Sequence, residues 1–208
     1  MTTRPLFAAV SATSMHLSKA LGEAKVTHPL QWARTAVNRG DPRARLADRV
    51  ATYLRQQLPE DHIVMARHAP RDGGAPVPVV VLGRDRVVII EPRDEDGDLL
   101  CYQDHWYRSV AGRLTQALGD PPSLRAHENA ARLRSDLGTG GLINVQIEPL
   151  VVLTRARPDD VRSSCVPVIA GLDPLIRHIL SRRVSSTDRV RTLQLAAALA
   201  RNITLTGV

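Results

Sequence analysis

Apolar residues first fall into step at Leu46, Val50, Leu54 and Leu58. A spacing of four keeps them on one side of a helix, and Ala47, Ala51 and Tyr53 widen the stripe. The spacing predicts a helix from Pro42 to about Leu58. Asp41 suits its N-cap, Pro42 its first position, and Pro59 ends it. Ahead of it, residues 15–38 predict one or two helices. They break at His28-Pro29, because the residue before proline avoids the helical region. The turn "RGDP" (39–42) then divides an N-terminal helical extension, 1–40, from a domain over 41–208.

Beyond Pro59 the helical period stops. "HIVMARHA" (62–69) reads as a strand and "PRDGGAP" (70–76) as a turn-rich loop. Val77–Leu82 and Arg86–Ile90 are almost wholly β-branched, which predicts strands buried on both faces. Gly83-Arg84-Asp85 is short enough to join them as a hairpin. Residues 98–109 predict a second hairpin turning at Gln103–His105. A helix follows from Pro122 to Leu137, with Leu124, Ala131 and Leu137 inward, Asn129 and Arg132 outward, and "GTGG" (138–141) as its stop. A strand is expected within 143–156, a short one at 166–169, and closing helices at Leu172–Leu180 and Thr187–Arg201. Ser186 or Thr187 caps the last helix, with Leu193, Ala197 and Ala200 inward. Antiparallel strands followed by a helical crossover predict an α/β fold, a central mixed sheet flanked by helices.

Composition changes this picture in three places. Hydrophobic residues make up 43% of the 208, but aromatics only 3%, so the core must be Leu, Val, Ile and Ala. No apolar run approaches the roughly 18 residues of a membrane helix, and the N-terminus lacks the apolar segment of a secretory signal. No membrane association and a cytoplasmic location are the expectations. The net charge is +7, and Lys19 and Lys25 are the only lysines among 28 basic residues. Guanidinium groups suit bidentate phosphate contacts, so the bias favours a polyanionic partner, against the plainer reading of arginines scattered on a solvated surface.

Familiar chemistry is sparse. The chain has no P-loop, GxGxxG, HExxH or GxSxG. Its seven histidines do not group at metal-ligand spacing, and Cys101 and Cys165 form no CxxC pair, which predicts two reduced, mostly buried thiols. Glu91 is the exception. It follows Val87-Val88-Ile89-Ile90 directly, and Arg93 comes two residues later. A carboxylate held at the mouth of a buried strand is suited to a metal ion, but hydrolysis of a phosphodiester needs further oxygen ligands. Asp94, Asp96 and Asp98 are close in sequence, yet "EPRDEDGD" reads as a solvated acidic turn.

These segments resemble, in order and spacing, the nuclease-related domain (NERD) family of the restriction-endonuclease-like PD-(D/E)XK group. The resemblance runs from about Pro42 to Arg201. It rests on "LADRVATYL" (46–54), the strand pair "VPVVVLGRDRVVIIEPR" (77–93), the hairpin "DGDLLCYQDHWYRS" (96–109) and the helix start "DPPSLRAHENAARL" (120–133). It implies a restriction-endonuclease-like sheet and a metal-dependent nuclease ancestry. Carried over residue by residue, the family's helix glutamate falls on Ala47, with Asp48 beside it. The strand aspartate falls on about Pro78, the Glu of Glu-x-Lys on Glu91, its lysine on Arg93, and the helix-start glutamine on Arg125.

The expectation is therefore a nuclease-related protein with a degenerate, inactive metal site and no cofactor. It would bind nucleic acid, DNA before RNA, through Arg84, Arg86, Arg93 and Arg125. An active enzyme is the first alternative, with Mg²⁺ or Mn²⁺ held by Glu91, aided by Asp48, and Arg93 in the lysine's place. A protein-interaction scaffold is the second, its contact carried by the C-terminal helices or by the 1–40 extension, with Trp32, Leu30 and Val37 as anchor for a partner or a second copy.

Overall fold

The structure, a computed structural model, describes residues 41–83, 86–110, 113–116, 120–139, 142, 144–181 and 189–201. The expected helical extension over 1–40 lies outside them, as do Arg84 and the caps of the last helix. The described elements, in order, are α1 (Pro42–Gln57), β1 (Ile63–His68), β2 (Val77–Leu82), β3 (Arg86–Arg93), β4 (Asp98–Tyr102), β5 (His105–Val110) and β6 (Arg113–Gln116). Then come α2 (Pro122–Thr139), β7 (Gln146–Leu153), β8 (Arg157–Arg162), β9 (Val168–Ala170), α3 (Leu172–Leu180) and α4 (Arg189–Arg201).

The central sheet has five strands in the order β1-β2-β3-β7-β9. β1, β2 and β3 form an antiparallel meander. The crossover through α2 then brings β7 parallel to β3, and β9 parallel to β7. The β-branched runs are buried on both faces, as their sequences imply. Val79, Val81, Val88 and Ile90 pack with Leu46, Val50 and Leu54 of α1. Val80, Leu82, Val87 and Ile89 pack with Ala130, Leu133 and Leu137 of α2 and Leu195 and Leu199 of α4. The fold is thus a mixed α/β sheet with helices on both faces. Among the described residues no helix is long and apolar enough to cross a membrane.

α1 begins as its sequence demands, with the Asp41 carboxylate accepting from the Arg43 amide at 2.9 Å and proline at the first helical position. α2 is rotated from the expected orientation. Ala126, Asn129, Ala130, Leu133 and Leu137 are buried, while Leu124 is 42% exposed and Ala131 faces solvent. The buried set repeats at three and four residues and is mostly small, so the helix lies close against the strands. α4 differs in the same way: Thr192, Leu195, Ala198 and Leu199 are buried, and Leu193 and Ala197 only partly.

A second sheet, β6-β5-β4-β8, is the main addition to the expected architecture. The hairpin β4–β5 turns through Gln103 and Asp104, both at positive φ (49° and 61°). β8 pairs parallel to β4. Leu99, Cys101 and Trp106 of this sheet pack with Ala126 of α2 and Val151 and Leu153 of β7. The Trp106 indole donates to the Ser123 hydroxyl at 3.0 Å, fixing the first turn of α2. Both cysteines are free, Cys101 buried but Cys165 exposed.

Candidate functional site

β3 runs past Ile90 because β7 continues beside it, up to the pairing of Arg93 with Leu153. Pairing with β2 stops earlier, at Val79 and Ile90. One further step of that register sets Pro78 opposite Glu91. Neither Pro78 nor Pro92 has an amide hydrogen to extend the ladder, so the β2 side opens here. The Arg93 carbonyl is tied down instead, accepting from the Thr154 amide at 2.8 Å and the Thr154 hydroxyl at 3.0 Å.

Glu91 continues the face of Val87 and Ile89, toward α2. Its side chain is 3% exposed. Two guanidinium groups flank its Oε1: Arg93 Nη1 at 3.8 Å and Arg125 Nη2 at 3.7 Å. Those separations are ion-pair contacts, too long for hydrogen bonds. Each arginine makes its short contact elsewhere. Arg93 forks onto Glu95 Oε1 at 2.9 and 3.1 Å, and Arg125 donates to Asp120 Oδ2 at 3.0 Å. Arg43, in the first turn of α1, meets the same Asp120 oxygen at 3.6 Å. The result is one chain of alternating charge: Arg43, Asp120, Arg125, Glu91, Arg93, Glu95. Glu91 Oε2 has no hydrogen-bond partner among the described residues. Burial pushes the Glu91 carboxyl above its ordinary value, against the opposing pull of Arg125, Arg93 and Arg43.

The residues assigned from sequence separate into two groups. Glu91, Arg93 and Arg125 come together. Asp48 does not join them: it is 47% exposed and pairs with Arg67 at 3.1 Å. Ala47 lies under α1 with Val88 and Ile90, on the opposite face of the sheet from Glu91, so a carboxylate there would meet the apolar cluster. Arg86 is also withdrawn from any ligand surface. Its side chain is 3% exposed, paired with Glu148 and donating to the carbonyls of His178 and Ile179 at 2.9 and 3.2 Å. Glu148 also meets His178 Nε2 at 2.8 Å, so this cluster pins α3 to the start of β3. The acidic turn after β3 is engaged by arginines, Asp94 by Arg49 at 2.9 Å and Asp96 by Arg155 at 2.7 Å.

The donor set does not fit a divalent metal. Mg²⁺ or Mn²⁺ needs several oxygen ligands, with carboxylates among them. Glu91 offers one free oxygen, Pro78 offers none, and two guanidinium groups lie within 4 Å of the carboxylate. Asp120 and Glu95 are already paired with those same arginines. Among the described residues no group of three His, Cys, Asp or Glu side chains is placed to hold a metal ion.

Sequence reasoning missed Asp120, Arg43 and Glu95. The available signal was an acid just before one helix start and an arginine in the first turn of another. Nor is the positive charge concentrated at this site. Residues 41–181 hold 18 arginines against 19 acidic residues, and the excess lies in 1–40 and 182–208. No family model, curated protein or solved structure matches the chain.

Proposed function

We propose that this chain is a nuclease-related protein of restriction-endonuclease-like fold that binds nucleic acid, DNA in the first instance, without cutting it. The observation that carries the reading is the pairing of Glu91 with Arg93 and Arg125. The carboxylate at the end of the buried strand has guanidinium groups where a nuclease would hold a cation. The mixed sheet with helices on both faces and the net charge of +7 also support it. Guanidinium stays charged throughout the physiological range, so Arg93 cannot serve as a proton donor or acceptor. It and Arg125 hold the buried Glu91 in place, while the arginines of the terminal segments supply the long-range attraction to phosphate.

Fluorescence anisotropy with labelled DNA and RNA tests this. Binding is expected at low salt, weakening steeply as salt rises because counterions are released. Absence of binding to any DNA or RNA at low salt sinks the proposal.

A further inference from the structure

We propose that Arg43 and Arg125 form a phosphate-binding notch that the Asp120 carboxylate fills in the free protein, so that an incoming phosphate binds by displacing Asp120. The inference rests on the nucleic-acid reading and describes how that surface is regulated.

Two guanidinium groups from different helices converge on one oxygen, Asp120 Oδ2, at 3.0 Å from Arg125 Nη1 and 3.6 Å from Arg43 Nη1. Arg43 is the second residue of α1 and Arg125 the fourth of α2. The first turn of α2 carries the partial positive charge of a helix N-terminus, which adds to the attraction for an anion, whereas that of α1 is already capped by Asp41. A carboxylate there is chemically a stand-in for a phosphate oxygen, since it is anionic and accepts hydrogen bonds only.

Arg125 has two working edges. Nη2 faces the buried Glu91 at 3.7 Å, and Nη1 faces outward to Asp120. Exposure rises along the series: Glu91 3%, Arg125 19%, Asp120 48%, Arg43 54%. The notch thus opens to solvent, with its inner wall held by an ion pair. Glu91 holds the inner edge of Arg125 and leaves Nη1 for the outer anion. Asp120 is 48% exposed, so water and salt screen its pairs with Arg43 and Arg125. Its displacement therefore modulates affinity and does not block binding.

The competing account is that Asp120 merely complements the dipole of α2. The two separate in one experiment on the full chain, comparing wild type, Asp120→Asn, Asp120→Asn/Arg125→Gln and the control Asp96→Asn. Asp96 is a somewhat more exposed acid, 57% against 48%, paired with Arg155. Each protein is titrated into labelled duplex DNA at about 50 mM salt, a range where phosphate contacts are strong. Each is also melted with and without inorganic phosphate.

Asp120→Asn is expected to bind DNA about three- to tenfold tighter than wild type, and the control within about twofold. Adding Arg125→Gln should cancel the gain and lower the salt slope by about one. Inorganic phosphate should raise the melting temperature of Asp120→Asn more than that of wild type. DNA binding and phosphate response in Asp120→Asn equal to those of the control would overturn the notch while leaving nucleic-acid binding intact. DNA bound by none of the proteins, with phosphate still favouring Asp120→Asn, would overturn the nucleic-acid reading and keep the notch as a site for free phosphate.

Discussion

Burial and charge pull the Glu91 carboxylate in opposite directions. Each neighbouring arginine offers about 4 kcal/mol of gross attraction at an effective dielectric of about 20, and desolvation costs several. Because Arg93 and Arg125 spend their short contacts on Glu95 and Asp120, burial wins and the Glu91 pKa is raised. A carboxyl raised in the fold contributes stability that is full below its unfolded value, ordinarily 4.5, and lost as the pH rises through its folded value. Glu91→Gln removes that loss. In urea titrations the variant should match wild type near pH 4 and gain on it as the pH climbs toward 8. A gap that stays constant with pH would show that Glu91 ionises without cost. The comparison isolates Glu91, because His68 is present in both proteins. Burial lowers the His68 pKa, so His68 takes stability away as the pH falls.

At the scale of elements, the rotation of α2 decides which side of the helix reaches the site. Leu133 is 1% exposed against β2 and β3, whereas Leu124 is 42% exposed. Leu133→Ala should cost about 2–5 kcal/mol by leaving a cavity, and Leu124→Ala under about 0.5. Chemical denaturation measures both, and the reverse ranking would contradict the helix orientation. This face was not legible in the sequence. Leu137 is inward as expected, but Leu124 and Ala131 are not, and the rest of the buried stripe runs through Ala126 and Ala130 and includes Asn129. Small residues carry little hydropathy signal, and here they are what lets the helix approach the sheet. The strands β2 and β3 were legible because a run of Val and Ile buried on both faces has few alternatives. β8 was not, since "RPDDVR" lacks alternation and its place is set by the backbone of β4. The segment order singled out Glu91, Arg93 and Arg125, and the fold brings those three side chains together. Asp48 and Arg86 sit apart from them, paired with Arg67 and Glu148, which only the tertiary structure reveals.

At the scale of the whole chain, charge and candidate site are separated along the sequence. Residues 41–181 are close to neutral, with nearly every acid of the site matched to an arginine, while the positive excess lies in the two terminal segments. Electrostatic attraction acts over about 8–10 Å at ordinary salt, so under the proposed nucleic-acid reading the terminal arginines would capture the polyanion and Arg43 and Arg125 would contact it. At Glu91 the proposal is that paired guanidinium groups stand where a nuclease would hold a metal. Incubating purified protein with supercoiled plasmid and Mn²⁺, wild type beside Glu91→Gln, tests it most directly. The account predicts no cleavage by either protein. Mn²⁺-dependent cleavage by wild type that Glu91→Gln abolishes would contradict it.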